Sequence, residues 1–88
     1  MTPDEVLELQ HGFEAILKKH HKNVEHKGND HVVDDYIFSF KLTPCNYGPL
    51  RKSIDEIKRK FDFYHIDTCL NCESDENIFD IIICYPDD

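Results

Sequence analysis

The side chains best equipped for chemistry in this chain are its four cysteines and its six histidines. Cys69 and Cys72 form a Cys-x-x-Cys pair inside "TCLNCESDEN", and Glu73, Asp75 and Glu76 come directly after it. Thiolates separated by two residues are the paired ligands of structural zinc sites, which close a tetrahedron with four donors. Cys45 supplies a third thiol, and Asp67, Glu73 or Asp75 an oxygen. Zinc through Cys45, Cys69 and Cys72 is therefore one reading. Against it, the chain has no second Cys-x-x-Cys and no His-x-x-x-His, and Glu73 stands where a metal knuckle often carries glycine. The plainer reading is the charged tip of a hairpin. A redox dithiol fits less well still. It needs a helix N-terminus to activate the thiol, whereas this pair is expected between strands and beside acids that disfavour a thiolate.

The histidines are His11, His20, His21, His26, His31 and His65. Those at 20 and 21 are adjacent, so they point to different sides of a helix, and neither has a histidine three or four positions away. They read as solvated or half-buried residues. His65 and Asp67 share one strand face and form a candidate acid–base pair, although a strand histidine is more often satisfied by a neighbour. "ESDE" lacks the Asp-x-Asp-x-Asp-Gly order of a calcium loop. No nucleophile, glycine-rich phosphate loop or carboxylate pair falls in a recognisable cleft, so the expectation is a protein that is not an enzyme.

Charge is more informative. The 88 residues carry a net charge of -8. Residues 1–61 balance ten acids with ten Lys or Arg, whereas residues 62–88 hold eight acids and no Lys or Arg. The whole imbalance sits in that last stretch. Direct nucleic-acid binding through a general basic surface is not expected from such a chain. Nor is a membrane span, since no apolar run approaches about 18 residues. The opening "MTPDEVLELQ" is acidic and helix-forming, unlike a cationic signal peptide, and cysteines in such a chain are expected to be reduced. The expected location is cytoplasmic.

These residues must be held by a small number of elements. Thr2, Pro3 and Glu5 spell a helix start, and Val6, Leu9, Phe13, Ile16, Leu17 and Val24 recur at helical spacing, which predicts a helix over about 3–25. "KGND" at 27–30 would end it. Tyr36, Phe38, Phe40 and Leu42 alternate through 32–42 as one face of a strand. After "TPCNYGP", Leu50, Ile54, Ile57 and Phe61 form the stripe of a second helix beginning near Pro49. "FDFYHIDTCL" resumes alternation, and "NIFDIIICY" is apolar on both faces, the mark of a central strand. Cys84 within it reads as a small buried hydrophobe.

The predicted order is α-β-α-β-β. This is one α+β domain over residues 1–88, with a three-stranded mixed sheet in the order 1-3-2. It would be a split β-α-β layer with both helices on one face. A 1-2-3 meander is the alternative, disfavoured because it strands the greasiest segment at an edge.

The expected function is that of a small acidic binding protein of inhibitor, immunity or nucleic-acid-mimic type. It would dock a basic protein, such as a nucleic-acid-binding one, through Asp67, Glu73, Asp75, Glu76 and Asp80. The alternative is a small metal-binding protein using Cys45, Cys69 and Cys72. A homodimer through the uncovered sheet face, where Ile37 or Tyr64 would meet a second copy, is a third expectation.

Overall fold

A computed structural model of the chain describes residues 2–43, 46–71 and 77–84, and of Asn71 the backbone alone. Helix α1 (Pro3–His20) starts as its residues predict. The Thr2 hydroxyl accepts the Glu5 amide at 3.2 Å and donates to the Glu5 carboxylate at 3.3 Å. Leu9, Phe13, Ile16 and Leu17 bury its inner stripe. The helix stops at His20, short of the expected 25. His21 is already extended (φ -123°, ψ 144°), although its N–H still reaches the Leu17 carbonyl at 2.8 Å.

The chain then enters a strand, β1 (Asn23–Val32), where a helix end and turn were expected. Its inward positions explain the difference. Val24 and His26, and beyond a register slip Asn29 and His31, take the inward phase, and only one of the four is apolar. Val24 also falls at helical spacing after Leu17, so the weak period of two was hidden under a period of 3.6. β1 hairpins onto β2 (Asp35–Thr43) through Val33 and Asp34. The register slips between His26 and Gly28, where Gly28 takes φ +147°, a value that L side chains rarely adopt.

Helix α2 (Tyr47–Lys60) then crosses to β3 (His65–Asn71), and β4 (Ile78–Cys84) returns between β2 and β3. The sheet order is β1-β2-β4-β3, and every adjacent pair is antiparallel. The expected three-stranded mixed sheet is thus a four-stranded antiparallel one in an α+β fold. The order 1-3-2 does hold for its last three strands, with the doubly apolar segment in the middle, and the meander is excluded.

Burial alternates strictly along β4, and Phe79, Ile81 and Ile83 face the helices. Phe38, Phe40 and Leu42 on β2 and Ile66 on β3 complete the sheet side of the core; Leu50 and Ile57 come from α2. Phe13 joins the two layers, meeting Phe38 edge-on at 5.2 Å and Phe61 at 4.9 Å. Gly12 lets this happen: a Cβ there would stand 2.6 Å from the tip of the Phe61 ring. The glycine's cost of about 1 kcal/mol in helix propensity is offset by that packing.

Polar contacts lock the layers. Gln10 on α1 meets His26 Nδ1 at 3.2 Å, His26 Nε2 meets Asn29 Oδ1 at 2.7 Å, and the Asn29 amide donates back to Gln10 at 3.0 Å. The closed ring fits one neutral tautomer of His26, with the proton on Nε2. Between the helices, Lys19 and His20 reach Glu56 at 3.0 and 3.3 Å. Buried Ser53 donates to the Pro49 carbonyl at 2.9 Å and lies 3.4 Å from His21 Nε2. Among the described residues no helix is long and apolar enough to cross a membrane.

Candidate functional site

Because the helices cover one face of the sheet, the strand residues of opposite phase form an open face. Register sets what lies beside what. Ser39, Asp80 and Cys69 form one row across β2, β4 and β3. Asp35, Cys84 and His65 form the row at the near end, with Ile37, Ile82 and Asp67 between them. Asp67 and Cys69 are exposed, and Asp80 is half-buried. The two acids differ in their ties. Asp80 accepts the Ser39 hydroxyl at 2.6 Å, whereas Asp67 lies 4.0 Å from the Cys84 sulfur.

Cys84 corrects one expectation. It belongs to this open face and is half-buried, outside the core. Burial raises its thiol pKa above the ordinary value, and a hydrogen bond to Asp35 and the charges of Asp35 and Asp67 push the same way. The sulfur keeps its proton near neutral pH, which makes it a poor nucleophile. Tyr64 is a second correction. It packs against the core on the helix side, in phase with Ile66 and Leu70, so it is no part of the uncovered face. Ile37 is on that face, half-buried.

Of the expected metal set, Cys69 is exposed on β3; Cys45 and Cys72 lie outside the described residues. The ends of β2 and β3 do sit together at one end of the sheet, with Ile78 between Lys41 and Asn71. Among the described residues, no group of three or more His, Cys, Asp or Glu side chains is arranged to hold a metal ion. Of the expected docking set, Asp67 and Asp80 are described; Glu73, Asp75 and Glu76 lie outside. His65 and Asp67 share the open face, as their spacing implies, but no hydrogen bond joins them among the described residues.

Cations are distributed unevenly. Lys18 and Lys19 lie in α1, and Arg51, Lys52, Lys58, Arg59 and Lys60 in α2. The ion pairs among the described residues join Lys18 to Glu14, Lys19 and His20 to Glu56, and Lys27 to Glu25. None of them reaches Asp62, Asp67 or Asp80. The open face has one cation of its own on β2, Lys41, which sits opposite Ile78.

A second feature carries no sequence motif. A cleft of about 220 Å³ opens between the first turns of α1 and the segment after α2, walled by Leu9, Phe61, Phe63 and Tyr64 and rimmed by Glu5, Glu8 and Lys60. No local pattern marks it, since its two sides are far apart in the chain. The one hint in the sequence is Phe63, an extra aromatic residue in the short link between α2 and β3. Comparison of the chain with protein-family models, with curated proteins and with solved structures found no match.

Proposed function

We propose that this chain is a non-enzymatic binding module. It docks a basic protein surface through the acidic open face of β3 and β4 and the hairpin between them, using Asp67, Asp80, Glu73, Asp75 and Glu76. The observation that carries this reading is the separation of charge. Neither β3 nor β4 holds a Lys or Arg, and Asp67 and Asp80 share one face where none of the ion pairs among the described residues neutralises them. Unpaired carboxylates on one surface repel each other and steer a cationic partner toward that surface. A nucleic-acid-binding protein, whose own site is built for phosphates, is a partner of suitable chemistry. The helices carry six acids beside seven Lys or Arg, so their near-neutral layer offers no competing anionic field.

The test starts with a basic protein captured at low salt and released at high salt. Its association rate is then measured against Asp67→Asn/Asp80→Asn and against Glu73→Gln/Asp75→Asn/Glu76→Gln. Asn at position 80 keeps an acceptor for Ser39, so the fold should persist. Each set should slow association by about three- to tenfold at low ionic strength and by much less at high. Association rates equal to the parent's at low salt, in variants with unchanged circular dichroism, would refute the docking face.

A further inference from the structure

We propose that the cleft between α1 and the α2–β3 segment binds an alkylammonium group, specifically the lysine side chain of a protein. The inference goes beyond the docking face and does not depend on it. Three properties of the cleft converge on this ligand class. First, its walls are aromatic. Phe63 is 85% exposed, and its ring stands perpendicular to Tyr64 (86°, centroids 6.5 Å apart), so the pair makes an open corner. A cation within about 6 Å of such ring faces is attracted by their quadrupoles. Second, the rim is anionic. Glu5 and Glu8 stand one turn apart on α1, and neither belongs to an ion pair among the described residues. Third, the chain already places a cation here, with the Lys60 ammonium 5.6 Å from the Phe61 centroid.

Other ligand classes fit less well. An anion would meet two carboxylates. A neutral apolar group would fill the walls and gain nothing from Glu5 and Glu8. A cation on an apolar stem satisfies both, with its methylenes against Leu9 and its charge between the rings and the rim. Lys60 works against it, being a like charge at the same mouth.

The test is a titration of the full chain followed by NMR, reading the side-chain resonances of Phe61, Phe63 and Tyr64. Three probes are used: Nα-acetyl-lysine methylamide, the norleucine analogue that keeps the stem without the charge, and choline as a free small cation. The lysine amide should saturate with a dissociation constant on the order of a few millimolar. Norleucine should bind at least about fivefold more weakly. Phe63→Ala, which removes an exposed ring and leaves the core alone, should weaken lysine binding about two- to fivefold. Lys60→Gln should strengthen it about twofold by removing the competing charge. Glu8→Gln should weaken the lysine amide and leave norleucine unchanged. Equal binding of norleucine and lysine amides, binding of choline without binding of the lysine amide, or no saturable shift would each overturn the proposal.

Discussion

Replacing Val33 with glycine should stabilise this protein, although glycine usually weakens a chain. Val33 is the first of the two residues that turn β1 into β2; it has φ +56° and is 84% exposed. In that conformation a Cβ crowds the following carbonyl at a cost of about 1–2 kcal/mol, and a branched side chain lies at the upper end. Glycine removes the crowding. Against this stands the lost contact of a side chain retaining only about a sixth of its possible burial, roughly 0.3 kcal/mol out of the 1.5–3 kcal/mol for a fully buried valine. Glycine also gives the unfolded chain more freedom, at about 0.4–1 kcal/mol. The balance is a gain of about 1 kcal/mol.

Val33→Ala is the control, because it trims the side chain but leaves a Cβ at the same φ. At an ordinary negative φ alanine would be the more stable of the two by about 0.4–1 kcal/mol; here glycine should lead by about 1 kcal/mol. The prediction is thus one of sign. Urea unfolding reads it directly, since a slope near 1 kcal/mol per molar for a chain of this size converts the gain into a midpoint about 1 M higher. Thermal melts should move by about 4–8 °C. If the alanine protein proves more stable than the glycine protein at equal slopes, strain at this turn is refuted.

Two further changes probe the helix layer. Gly12→Ala puts a methyl 2.6 Å from the tip of a Phe61 ring held against Phe13, and should cost about 1–2 kcal/mol despite the better helix propensity of alanine. In a Phe61→Leu background the same change should be neutral or gain up to about 1 kcal/mol; equal effects in the two backgrounds, measured by urea unfolding, would refute the steric account. Glu56 has its pKa lowered, chiefly by its hydrogen bond to Lys19 and next by that to His20. A lowered folded value means the stabilisation is present above the unfolded value near 4.5 and is lost as pH falls through the folded one. Glu56→Gln should therefore flatten the acid side of the stability profile between neutral pH and about pH 3, and unfolding midpoints that track the parent's at every pH would count against the pairing.

The legible parts of this chain are those that repeat. Leu50, Ile54 and Ile57 mark α2 unambiguously, and the doubly apolar run of Ile78–Cys84 placed β4 in the middle of its neighbours. The same run hid its phase. With hydrophobes at both parities, only the packed structure shows that Phe79, Ile81 and Ile83 face the helices and that Cys84 does not. β1 is hidden for the opposite reason: an edge strand with His26, Asn29 and His31 in its inward phase carries too little apolar signal to compete with the helix before it. The acid count of the last stretch was plain. That Asp67 and Asp80 share a face depends on the β3–β4 register, which sets Asp67 against Ile82 and Asp80 against Cys69. The cleft had no local signature, because only the folded chain brings Glu5 and Glu8 of α1 to Phe63.

The two proposed surfaces both favour cations, yet geometry keeps them apart. Asp67 and Asp80 point away from the helices, whereas the cleft opens within the helix layer, near the His65 end of β3. The other end of that strand, at Asn71, lies about 20 Å away at roughly 3.3 Å per residue over the seven residues of β3. A standard interface of about 800 Å² per partner is roughly 30 Å across, wide enough to run the length of β3. A flat patch cannot touch both faces of a sheet, however, so a partner seated on the open face leaves the cleft free unless it folds around the β3 edge. Changes at Asp67 and Asp80 and changes at Phe63 share no contacts, and effects of such separate sites add. Coupling between them would require one partner wrapped over that edge; without it, either surface can lose its ligand and leave the other's affinity unchanged.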